Sequence, residues 1–124
     1  MEFKTLEPAL TEGETIEVIH IEFDIETLTI TVRIDGDKLD VIFDAPNGYR
    51  VLDEGDLLEF WPSCSSNIGW LYKIIDGGWL SQERMRSGSI SSKNAELSEY
   101  LVIGCNYCVN VLAWEAPNVS ESIR

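Results

Sequence analysis

Thr27-Leu-Thr-Ile-Thr-Val-Arg-Ile34 decides the fold. Successive side chains of an extended chain point to opposite faces, so Leu28, Ile30, Val32 and Ile34 share one face and Thr27, Thr29, Thr31 and Arg33 the other. One apolar and one polar face is the pattern of a half-buried antiparallel strand. The flanking residues extend it. Upstream, Thr15 to Phe23 reads as a strand with Ile16 and Val18 in one phase and Ile19, Ile21 and Phe23 in the other. The phase change between Val18 and Ile19 predicts a bulge or a strand buried on both sides. Downstream, Asp35-Gly36-Asp37 closes a hairpin, and Leu39, Val41 and Phe43 alternate with Lys38, Asp40 and Asp44 on the returning strand. Three hairpin-linked strands make a meander.

Beyond the turn at Ala45-Pro-Asn-Gly48, Tyr49 to Leu52 reads as a strand that ends in the acidic cluster Asp53, Glu54 and Asp56 around Gly55. Leu57, Leu58, Phe60 and Trp61 recur at helical spacing before Pro62, which predicts a short helical turn or a second short strand. Trp70 to Ile75 is a strand, Asp76-Gly-Gly78 a tight turn, and Trp79 to Glu83 the expected partner strand, which would bring Trp70 and Trp79 together across a hairpin. Ser87 to Ser98 is polar and reads as a surface loop. Tyr100 to Ile103 and Val109 to Trp114 form a last hairpin around Gly104-Cys-Asn-Tyr-Cys108, apolar enough for the middle of a sheet. The expectation is a single domain over 1–124. It is mainly β, with about seven to eight antiparallel strands folded as a sandwich or partly open barrel with one short helical turn. Residues 1–14 are expected to be a loose arm and 118–124 an exposed tail.

The formal net charge is −13, and it is lopsided. Residues 1–61 hold 16 Asp and Glu against 4 Lys and Arg, whereas residues 62–124 hold 6 against 5. Such a field repels nucleic acid and anionic membranes and speeds capture of a basic protein. No apolar run reaches membrane-spanning length and the N-terminus lacks a signal-peptide pattern, so a cytoplasmic protein, monomeric or homodimeric, is expected. The same acidity would also serve solubility alone. The meander is expected to carry it as one anionic outer face.

Three cysteines do not make a secreted disulfide framework. Cys64, Cys105, Cys108 and His20 supply a Cys₃His donor set in principle, but there is no second C-x-x-C, and idle or buried thiols are the plainer reading. No cofactor is expected. No G-x-S-x-G or phosphate-binding glycine loop occurs, and a chain with 22 acids always offers carboxylate pairs. The reading is therefore a non-enzymatic, partner-binding domain. The candidate contact residues, chosen from charge and aromaticity, are Tyr49, Asp53, Glu54, Asp56 and Trp61. The alternatives are a ligand-binding or enzymatic β domain with an aromatic pocket between the Trp70–Trp79 hairpin and Leu57–Trp61, or a homo-oligomeric structural protein.

Through Arg50-Val-Leu-Asp-Glu-Gly-Asp-Leu-Leu58, Gly77-Gly-Trp-Leu80 and Glu99-Tyr-Leu-Val-Ile-Gly104, the stretch from about Thr15 to Pro117 resembles the small acidic immunity proteins of bacterial polymorphic toxin systems. That resemblance implies a cytoplasmic protein that neutralises a toxin domain by covering its active site. It carries over no catalytic residues, and it assigns no binding residues because these differ from one such protein to the next.

Overall fold

The computed structural model describes residues 2–8, 14–53, 69–86, 88 and 95–123. Nine strands and one helix lie among them: β1 (Glu2–Pro8), β2 (Ile16–Phe23), β3 (Thr27–Ile34), β4 (Asp37–Asp44), β5 (Gly48–Asp53), β6 (Gly69–Asp76), α1 (Trp79–Met85), β7 (Ser98–Ile103), β8 (Tyr107–Ala113) and β9 (Asn118–Glu121). They form two antiparallel sheets, one in the order β1-β6-β7-β8-β5 and the other β2-β3-β4-β9. Among the described residues this is a β-sandwich with one short helix and no closed barrel.

The meander folds as its pattern requires. Leu28, Ile30 and Val32 of β3 pair with Phe43, Val41 and Leu39 of β4, and Leu28, Ile30, Val32, Val41 and Phe43 are all buried in the core. Opposite them, the five-stranded sheet contributes Tyr100, Val102, Val109, Val111 and Ala113 to the same cluster. Phe43 meets Tyr100 across the gap with ring centroids 5.5 Å apart. Each fully buried side chain of this size stabilises the fold by about 1.5–3 kcal/mol. The phase change in β2 is a bulge: Val18 pairs with Val32 and His20 with Thr31, so Ile19 is the extra residue.

Four expectations are corrected. The N-terminal arm is ordered in part: Glu2–Pro8 is β1 and pairs with β6 at the edge of the five-stranded sheet. Thr5, Leu6 and Phe3 supply the side chains, Phe3 meeting Tyr72 edge to face at 5.2 Å. The C-terminal tail also pairs, Asn118–Glu121 forming β9 against β4 because Val119 packs on the core opposite Val41. Trp79 to Glu83 is helical and not a strand. Leu, Gln, Glu, Arg and Met favour helix, and the Trp79 indole N–H donates to Glu83 one turn on at 3.2 Å. With no hairpin there, Trp70 and Trp79 part company. Trp70 is buried in the inter-sheet cluster, while Trp79 packs with Leu80, Leu97 and Leu112. The hairpin expected to wall an aromatic pocket against Leu57–Trp61 is therefore not formed. The short helical turn expected at Leu57–Trp61 lies outside the described residues.

The fourth correction concerns charge. The outer face of the meander is not a wall of carboxylates. Glu17 receives a hydrogen bond from Arg33 at 3.1 Å, Arg33 stands opposite Lys38, and Asp40 is buried, accepting the Thr31 hydroxyl at 2.7 Å. Arg84 donates to the Leu97 carbonyl and Arg86 pairs with Glu83.

Candidate protein-docking site

The acids gather instead at one end of the four-stranded sheet. Thr27 pairs with Asp44, and the Ala45 N–H donates to the Glu26 carbonyl at 2.7 Å. Glu22, Asp24, Glu26 and Asp44 therefore share the end that carries the β2–β3 turn. The turn is fixed by its own first residue: Asp24 Oδ1 accepts the N–H groups of Glu26 and Thr27 at 3.0 and 2.7 Å. It holds Ile25, 80% exposed, at φ 82°, a conformation β-branched residues rarely adopt. Arg33 and Lys38, the only cations in the strands of this sheet, lie at its other end, about six residues or roughly 20 Å along β3. That is about twice the screening length at physiological salt, so they do little to neutralise the turn.

This acidic end borders an opening in the side of the sandwich. β2 and β5 are each the last strand of a sheet, and both lie on the same side. Two contacts tie them across. The Phe23 and Tyr49 rings meet at 5.5 Å and 67°. Further along, the turn before β8 hooks onto β2: Asn106 Oδ1 accepts the Val18 N–H at 3.0 Å, Asn106 Nδ2 donates to the Val18 carbonyl at 2.9 Å, and the Cys105 N–H donates to the Ile16 carbonyl at 2.8 Å. Between ring pair and hook runs an open groove of about 250 Å³ lined by Val18, Ile19, His20, Ile21, Val51 and Tyr107. Val51 and Tyr107 are 40% and 47% exposed, although Val51 pairs with the buried Val109. An apolar opening bordered by charge makes this side the candidate contact surface.

Two of the residues expected from the sequence flank this groove without lining it. Tyr49 and Asp53 pair with Val111 and Tyr107, so with Val51 between them they share the face of β5 that looks toward the other sheet. Glu54, Asp56 and Trp61 lie outside the described residues. Phe23, Ile19, Val51 and Tyr107 were not anticipated. Ile19 had a signal, the phase change that marks the bulge. The others had none, because their exposure follows from β2 and β5 being edges, which only the pairing reveals.

The cysteine and histidine positions do not converge with one another in the described residues, where no group of three or more His, Cys, Asp or Glu is placed to hold a metal. Cys108 is buried with Tyr72, Ile74, Leu101 and Ile103, Cys105 is exposed in the turn, His20 is exposed on β2 at the border of the groove, and Cys64 lies outside the described residues. Among the described residues, His20 has no hydrogen-bonded carboxylate, hydroxyl or thiol to make it half of a catalytic pair.

A second polar cluster lies at the start of α1. Glu99 is 1% exposed. It accepts the Leu80 N–H at 2.8 Å and the Asn110 amide at 2.9 Å, and Asn110 in turn accepts Arg50 Nε at 3.3 Å. The Arg50 guanidinium lies 4.9 Å from the Trp79 ring centroid. Burial pushes the Glu99 carboxyl up, against the pull of the Leu80 N–H, the Asn110 amide, the Trp79 N–H and the Arg50 charge. Gly78 supplies no side-chain cap, so a carboxylate from β7 serves that end of the helix. The cluster fastens α1 to the sheet.

Comparison of the chain with protein-family models, with curated proteins and with solved structures finds no match. No helix among the described residues is long and apolar enough to cross a membrane.

Proposed function

We propose that the chain is a non-catalytic protein-binding domain, immunity-like in character, that docks a basic partner such as a toxin domain on the β2–β5 side of the sandwich. The observation that carries this reading is the groove of Val18, Ile19, Ile21, Val51 and Tyr107 with the Phe23–Tyr49 pair at one end and the carboxylates of the β2–β3 turn beside it. An apolar floor supplies area to bury, and the surrounding negative field selects a cationic partner and steers its approach. A second copy of the chain suits this surface poorly, since it would bring a net charge of −13 against the same sign.

The test is capture of partners from the cells of origin on the immobilised chain, beside a Val51→Glu variant, at low and high salt. The expected result is a basic protein held by the native chain, lost on Val51→Glu and weakened at least about tenfold by high salt. Capture of an acidic partner, or capture indifferent to both the variant and the salt, would overturn the reading.

A further inference from the structure

Among the described residues the sandwich has four sheet edges, and they differ in what they offer. β9 is four residues long, and β1 has register shifts at three places. Short or irregular edges resist pairing with another chain. β2 is different in its two halves. In the first, the outward backbone groups are already used, by the Asn106 amide at Val18 and by the Cys105 N–H at Ile16. In the second, beyond the bulge, Ile21, Glu22 and Phe23 pair regularly with Ile30, Thr29 and Leu28.

The pattern of hydrogen bonds follows from the turn. The Asp24 N–H donates to the Thr27 carbonyl, which makes these two residues the closing bonded pair. In an antiparallel ladder, bonded and non-bonded pairs alternate. Glu22 and Thr29 then form the next bonded pair, His20 and Thr31 the one after. The N–H and C=O of Ile21 and Phe23 accordingly point away from β3, out of the sheet. Val18, whose N–H and C=O are turned outward to Asn106, has the same phase on the far side of the bulge.

Resting on the partner-binding reading, we infer that Ile21–Phe23 receives an extended segment of the basic partner as an added strand. The side chains of such a segment would alternate. One set would enter the groove beside Ile21, Phe23 and Val51 and would be apolar. The other would stand on the outer face opposite Glu22 and, past the turn, near Asp24, and would be basic, because opposite charges directly across strands are favourable. The hook at Asn106 sets one end of the slot, so that the added strand pairs with the open half only.

The probe is a short capped peptide of alternating valine and lysine, titrated into the full chain and followed by amide shifts and exchange protection. The expected result is protection of the Ile21 and Phe23 N–H groups with shifts confined to β2, Val51 and Tyr107. Ile21→Pro removes an N–H that β3 does not use, so the sheet tolerates it as an edge proline, and it is expected to weaken the peptide at least about tenfold. A peptide N-methylated at alternate residues makes the same test without changing the protein and is expected to lose binding when the methylated face is the one turned to β2. Replacing lysine by glutamate in the peptide is expected to abolish binding. Equal binding of the lysine and glutamate peptides, shifts centred elsewhere, or binding unchanged by both Ile21→Pro and N-methylation would overturn strand addition. If a captured basic protein is released by Val51→Glu but held undiminished by Ile21→Pro, the docking reading stands and strand addition falls.

Discussion

Asn106 holds the two sheets together on the side that carries the groove. Its carboxamide presents an acceptor and a donor to one residue, Val18, as a neighbouring strand's peptide group would, and it also accepts the Tyr107 N–H at 2.8 Å. Asn106→Ala leaves the Val18 amide and carbonyl without these partners. It is expected to lower the stability measured by urea unfolding by about 1–3 kcal/mol, and to loosen Ile16–His20 in hydrogen exchange ahead of the rest of the core. Glu99 makes a different prediction, in pH. Its carboxyl is raised by burial, so the folded chain holds that proton to a higher pH than the unfolded chain does. The contribution to stability is therefore fully present below the ordinary glutamate value of 4.5 and is lost as pH rises through the raised value in the fold. Comparison with Glu99→Gln cancels the other carboxylates: the stability of the native chain relative to the variant is expected to fall as pH rises above the ordinary glutamate value of 4.5 in parallel urea titrations. A relative stability that rises over that range would show the N–H donors and Arg50 outweighing desolvation.

At the scale of elements, β1 against β6 is the pairing with the sharpest steric requirement. A Cβ on Gly69 would lie 2.5 Å from the Glu7 carbonyl oxygen and 2.5 Å from Thr5 Cγ2. Gly69→Ala is expected to cost about 1–3 kcal/mol in urea unfolding and to free β1 first, seen as early exchange of Phe3 to Glu7. The sequence shows why β1 was missed and the meander was not. Leu28, Ile30, Val32 and Ile34 announce a face by themselves, because the core covers one side of β3 along its whole length. Glu2 to Pro8 has too few apolar residues to announce one and gains its place from Tyr72 and Leu71 on a strand far along the chain. Trp79 to Glu83 misleads for the opposite reason. Its apolar start follows a glycine turn, the local signature of a hairpin, while the group that serves the helix N-terminus, Glu99, is contributed from β7. Of the site, Tyr49 and Asp53 were legible as aromatic and acid on one strand, but Phe23 and Tyr107 were not, since nothing local says which strands end up at an edge.

For the whole molecule, what matters is where the charge sits. At one end the meander's outer face mixes Glu17, Arg33, Lys38 and a buried Asp40, and an exposed pair such as Glu17–Arg33 contributes little to stability while it cancels field. Glu22, Asp24, Glu26 and Asp44 lie at the end of the sheet remote from both of those cations. An acidic composition alone would serve solubility; on the proposed docking reading, the acids beside an opening between two sheet edges are what a cationic chain would settle against. The most direct measurement is the hydrogen-exchange footprint of the captured basic partner on the full chain. The account predicts protection confined to Ile19–Phe23, Tyr49–Asp53 and Tyr107, and protection centred on β1, β9 or the outer face of the meander would contradict it.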